Sequence, residues 1–89
     1  REPAAAPLHR VIVVDHEAGD EATAVVARLR GEARRATVLD TRPIASALAD
    51  AVALAASAAR RTRSEIVLVW DGTRPTLIPD DLASVPRYV

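Results

Sequence analysis

The sequence predicts an α/β fold of order β-α-β-α-β-β around a mixed four-stranded sheet. Three observations carry this. Val11, Ile12, Val13 and Val14 form an unbroken β-branched run; residues 44–62, after Pro43, contain nine alanines and neither Gly nor Pro; and Asp71-Gly72 separates the apolar stretches 66–70 and 76–78. The first pattern reads as a buried strand, the second as a long helix, and the third as a hairpin.

Taken in order, residues 1–9 read as a Pro- and Ala-containing linker, which implies that the domain belongs to a longer chain. The first strand covers 9–15, and its lack of alternation predicts burial on both faces. Asp20 is placed to N-cap a first helix in which Ala22, Val25, Val26, Leu29 and Ala33 recur at helical spacing. Residues 37–40 form a second, short strand. Pro43 suits the first position of the long helix, where its missing donor costs nothing. Along that helix Ile44, Leu48, Val52 and Leu54 make a bulky arc, and Ser46, Asp50 and Ser57 a polar stripe. The flank Ala45, Ala49, Ala53 and Ala56 is smooth enough for close approach of another helix. The third strand is 66–70. The fourth, 76–78, lies between Pro75 and Pro79 and so belongs at an edge, and 83–89 is a tail.

Composition narrows the function classes. The chain has 89 residues, 49% hydrophobic and 27% charged, which is a globular composition. No apolar run reaches the length of a membrane span, and no signal peptide is visible. All twelve basic residues are arginine and are matched by twelve acids, which argues against electrostatic capture of nucleic acid or of an acidic membrane. Cysteine is absent, so disulfides and thiolate metal sites are excluded. Only Trp70 and Tyr88 are aromatic, so the core is aliphatic and small. Doubly apolar strands and only two helices leave a question of cover. Either the helices take opposite faces thinly, or a second subunit covers what one chain cannot.

Chemistry-bearing residues are few. Asp15, His16, Glu17, Asp20 and Glu21 follow the first strand, where open α/β sheets place ligand sites. They suit a carboxylate and imidazole metal site or an acid and base pair, against the plainer reading of a solvated loop with helix-capping acids. Gly19 is the only glycine at that turn, so no phosphate-cradling loop is present. Ser46, Ser57, Ser64 and Ser84 lack an elbow motif, and His9 and His16 have no partner at a telling spacing. Trp70 is either a core plug or an interface anchor. Arg60, Arg61 and Arg63 complement a helix dipole and could also receive an acidic peptide.

The order of elements behind a Pro-containing linker resembles the C-terminal domain of SepF, the cell-division protein that tethers FtsZ to the membrane in Gram-positive bacteria. The resemblance covers residues 10–82. It is carried by Val11-Ile12-Val13-Val14-Asp15, by Asp20-Glu21-Ala22 with Val25-Val26 and Leu29-Arg30, and by Ala36-Thr37-Val38-Leu39-Asp40. The long Ala-rich helix resembles the family's dimerisation helix. Thr76-Leu77-Ile78-Pro79-Asp80-Asp81-Leu82 stands where the family has Phe-Leu-Leu-x-Pro-x-x-Val. Thr76 replaces the aromatic of that segment, and the glycine usual after the long helix is missing from Arg60-Arg61-Thr62-Arg63-Ser64, which marks a divergent paralogue.

The resemblance implies a two-layer sandwich with both helices on one face of the sheet, assembling as a homodimer through Ala45, Ala49, Ala53 and Ala56. It implies a non-enzymatic division scaffold or modulator, cytoplasmic and at the septum, without cofactor, metal or nucleic acid. Partners would be FtsZ or a SepF-like paralogue, held at Trp70, Arg74, Thr76 and Ile78. Membrane contact would come only through a segment outside these residues. The alternative is a small-ligand or metal-binding regulatory α/β module of a larger protein, centred on Asp15, His16 and Glu17. A purely structural oligomerisation domain is a third possibility.

Overall fold

Four consecutive β-branched residues cannot alternate between core and solvent, so His9–Val14 (β1) needs cover on both sides. In the computed structural model, which describes residues 8–44, 48–62, 64–70 and 87–88, it has that cover. β1 is central in a sheet of order β2-β1-β3-β4, flanked by Arg35–Asp40 (β2) and Glu65–Val69 (β3), with Arg87–Tyr88 (β4) outermost. Every described pairing is parallel, with Val13 opposite Leu39 on one side and Leu68 on the other. The helices are Ala22–Gly31 (α1) and Leu48–Thr62 (α2).

The strand order decides the layers. From β1 the chain steps one way to β2, then returns across β1 to reach β3. Two crossovers of the same right hand that step in opposite directions put their helices on opposite faces. Val11, Val13, Ile66 and Leu68 accordingly pack with Leu48, Ala51, Val52 and Ala55 of α2. Ile12, Val14, Val67 and Val69 pack with Ala22 and Leu29 of α1. The expected burial of the first strand on both faces is borne out. The expected two-layer sandwich is not: the described sheet lies between its helices as a middle layer. The mixed sheet is likewise replaced, among the described residues, by a parallel one. The hairpin strand expected at 76–78 lies outside the described residues, while β4 falls in what reads from sequence as the tail.

Local differences have local causes. α1 begins at Ala22, and Glu21 rather than Asp20 occupies the N-cap, with no side-chain cap bond. The first turn is closed by main chain instead, as Ala22 and Thr23 donate to the carbonyls of Gly19 and Asp20. β2 starts two residues earlier than expected, because Arg35 N–H finds the carbonyl of Leu8 and the parallel ladder runs from there. Pro43 does not open α2; it lies in a bend whose closing bond runs from Ile44 N–H to Thr41 O. The buried arc of α2 is Leu48, Ala51, Val52 and Ala55, and Leu54 stands about 200° round the helix from Val52, so it is exposed. Ile44, in the bend, is exposed too.

One charged residue is part of the core. Arg10, on the α1 side of β1, is 7% exposed. Its Nη1 donates to Leu29 O at 2.8 Å and to Glu32 Oε1 at 3.0 Å, and its Nε donates to Glu65 Oε1. Carbonyls at helix ends lack the full set of helical partners, and Arg10 adds a donor to Leu29 O, which among the described residues otherwise accepts only from Glu32 N–H at 3.3 Å. It thereby ties the end of α1 to both central strands. Burial opposes its charge, but the hydrogen bonds to Glu32 and Glu65 outweigh that and hold its pKa above the ordinary arginine value.

Candidate functional site

β1 is followed in the chain by β2 on one side, whereas the next described strand after its neighbour β3, β4, lies on the other side. Open α/β sheets bind ligands over such a reversal. Asp15 continues the ladder there, its N–H donating to Val69 O at 2.8 Å. Its Oδ1 accepts from Glu17 N–H at 3.2 Å and its carbonyl from Ala18 N–H at 3.0 Å, so the carboxylate shapes its own turn. Gly19 then takes φ +78°, and a Cβ there would also meet the Glu21 carboxylate at 3.1 Å.

Strand alternation brings Asp15 next to Trp70. Val13 and Leu68 face α2 in register, and two residues further along each strand come Asp15 and Trp70. Asp15 is buried, and Trp70 is half-buried against the α2 cluster. The His16 ring lies between two carboxylates, Nδ1 3.3 Å from Asp15 Oδ1 and Nε2 3.6 Å from Glu17 Oε1. Neither His16 Nδ1 nor Trp70 Nε1, both buried atoms, makes a hydrogen bond to the described residues. A buried polar group without a hydrogen bond costs about 1–3 kcal/mol, so the Trp70 donor, on the strand next to a buried carboxylate that already contacts His16, marks a place built for polar contact.

The loop after β2 forms the neighbouring wall. Thr41, 2% exposed, donates through both N–H and Oγ1 to Val14 O, at 3.1 and 2.6 Å. Arg42 is held by Asp40 through Nη2 to Oδ2 at 2.7 Å and Nε to Oδ1 at 3.0 Å. Its Nη1 reaches across to Gly19 O at 2.9 Å and Thr23 Oγ1 at 3.0 Å. The clamp therefore fixes the β1–α1 loop from the β2 side. The hydrogen bond from Arg42, helped by its charge, holds the Asp40 carboxyl below the ordinary aspartate range. A depressed folded pKa contributes stability that is present above the unfolded value and lost as pH falls through the folded one. Because both side chains are partly exposed, the contribution is under about 1 kcal/mol. Asp40→Asn is expected to melt below the wild type at pH 7, with the gap closing below about pH 3. A gap of the same size at both pH values would show that charge is not its source.

The residues expected to carry function are dispersed. Asp15, His16 and Glu17 come together, but Asp20 and Glu21 are exposed at the start of α1. Among the described residues no group of three His, Asp or Glu could hold a metal ion. Arg74, Thr76, Ile78 and Ala45 lie outside the described residues. Ala49 and Ala53 are exposed on α2, whereas Ala56 is buried within the chain. At the opposite end of the sheet His9 gains partners that its spacing concealed: Nδ1 lies 2.6 Å from Ser64 Oγ and Nε2 2.9 Å from Thr37 Oγ1. Both ring nitrogens meet hydroxyls, so no carboxylate orients the imidazole as a triad requires.

Thr41 and Arg42 carry no signal of their own in the sequence beyond following a strand. The local Asp40-Thr41-Arg42 spacing fits the turn seen, in which Arg42 N–H donates to Asp40 Oδ1 at 3.0 Å. Among the described residues no helix is long and apolar enough to cross a membrane. Compared with known proteins, the chain matches no family model, no curated protein and no solved structure.

Proposed function

We propose that the chain is a small-ligand-binding α/β module, with the ligand seated over the carboxyl ends of β1 and β3. The observation that carries this is the buried Trp70 Nε1, which makes no hydrogen bond to the described residues, on the strand next to the buried Asp15, whose carboxylate holds the His16 ring at 3.3 Å. Trp70 can only donate, Asp15 as a carboxylate can only accept, and His16 can do either. A ligand that satisfies all three presents acceptors and donors on one edge, as a nucleobase or a carboxamide does. The parallel sheet and its reversal of direction at this point support the location. Calorimetry with nucleosides and nucleotides tests the reading. Saturable heat is expected, lost in His16→Ala and weakened about tenfold in Trp70→Phe, which keeps the ring and removes the donor. No saturable heat from any of them would overturn it.

A second reading, the division scaffold that homodimerises and binds an FtsZ-type tail or another division protein, is favoured by the outward side of α2. Ala49, Ala53 and Leu54 are exposed there as a smooth apolar strip. Cover for the sheet no longer argues for a second subunit, since α1 and α2 take its two faces. The reading therefore rests on the helix face. Ala53→Arg is expected to give single chains in light scattering, and an unchanged dimer would remove the strip from the interface.

A further inference from the structure

We propose that copies of this chain associate head to tail, the end of the sheet where the strands start docking onto the end of a second copy where they finish. The placement of charge carries this. In a parallel sheet every strand starts at one end, and helices that return the chain finish there too. Of the eight arginines whose side chains are described, seven lie at that end and only Arg42 at the other. Of the eight described carboxylates, six lie at the far end: Asp15, Glu17, Asp20, Glu21, Asp40 and Asp50. The two acids among the arginines, Glu32 and Glu65, are both engaged by the buried Arg10. Around them Arg28, Arg30, Arg34, Arg35, Arg60 and Arg61 are exposed, with Arg28 3.9 Å from Glu32.

Among the described residues the balanced charge is therefore a sum over two opposed ends. A six-residue strand such as β1 spans about 20 Å, more than twice the screening length of about 8 Å in physiological salt, so in solution neither end neutralises the other. A second copy stacked end to end brings the opposite charges within reach. A polyanion would also meet the arginines, but it would be repelled by the acidic end of the same small molecule. The partner whose charge complements both ends at once is another copy. The contact is heterologous and does not close on itself, so it grows as a chain of copies.

The test is sedimentation of the full chain in about 30 mM and about 300 mM salt. The expected result is a weight-average mass at least twice that of the single chain in low salt, falling to the single chain in high salt. Two charge-reversed variants follow. Arg34→Glu/Arg35→Glu/Arg61→Glu makes both ends acidic, and Asp20→Arg/Glu21→Arg/Asp50→Arg makes both ends basic. Each alone is expected to sediment as a single chain in low salt, and the equimolar mixture to assemble again. The mixture keeps the test independent of folding, since a misfolded variant would not restore specific, salt-sensitive assembly. A wild type that stays single in low salt, a variant that assembles alone as the wild type does, or a mixture that stays single would each overturn the proposal. Heparin binding by a wild type that stays single would overturn it in favour of a polyanionic partner.

Discussion

Arg10→Met is expected to lower stability by about 2–3 kcal/mol, which for a domain of this size lowers the melting temperature by roughly 10–20 °C. Methionine keeps much of the aliphatic volume beside β1, so the loss reports polar contacts rather than a cavity. The carboxylates of Glu32 and Glu65 lose their hydrogen bonds from Arg10, and the carbonyl of Leu29 at the end of α1 keeps only the longer one, 3.3 Å, from Glu32 N–H. Removing one partner of a fully buried pair costs about 3–5 kcal/mol; here both glutamates keep a third or more of their side-chain surface in water, which moderates the penalty. Chemical denaturation measures it. A double-mutant cycle with Glu65→Gln is expected to return a coupling of at least about 0.5 kcal/mol, since the two side chains touch. An Arg10→Met variant as stable as the wild type would show that the buried network is energetically neutral.

Ile12→Ala is expected to cost about 3 kcal/mol, within the usual range of about 2–5 for truncating a buried Ile. Ile12 has no exposed surface and sits at the middle of the central strand, on the α1 side, with Val14, Val67 and Leu29 in the same cluster. Without Met among the 89 residues, no flexible apolar side chain of that kind is at hand to fill the void. Ile44→Ala, at a residue 61% exposed, is the matched control and is expected to change stability by less than about 0.5 kcal/mol. Equal losses at the two positions would contradict the burial described.

How much of the fold was legible from sequence depended on whether a signal was local. The run from Val11 to Val14 announced a doubly covered strand, and the structure buries all four. Absence of Gly and Pro over 44–62 announced the long helix, whose described part ends at Thr62 as expected. Strand direction was not local. Asp71-Gly72 reads as a hairpin and lies outside the described residues, while the described partners of β3, β1 and Arg87–Tyr88, both run parallel to it. The faces taken by the helices follow from the order in which strands sit side by side, which no window of sequence contains.

The candidate site shows the same division. Asp15, His16 and Glu17 could be singled out because they follow a strand, and their main-chain turn is local. That Trp70 joins Asp15 follows only from the β1–β3 register across more than fifty residues of chain. Thr41 and Arg42 became walls of the site because β2 pairs with β1, which brings Val14 O and Gly19 O within their reach. Arg10 looks from sequence like a charge flanking a strand and proves to be a buried tie between three elements.

Composition established an aliphatic, cysteine-free α/β domain of zero net charge, because burial preference and helix propensity act on each residue where it stands. It did not establish what that zero means. Parallel pairing gathered seven described arginines at one end and six carboxylates at the other, and α1 and α2 covered both faces of a sheet that composition alone would have left half-bare. Charge adds up the same way however a chain is folded. The field it makes depends on distance, and distances between remote residues are set only when the strands pair.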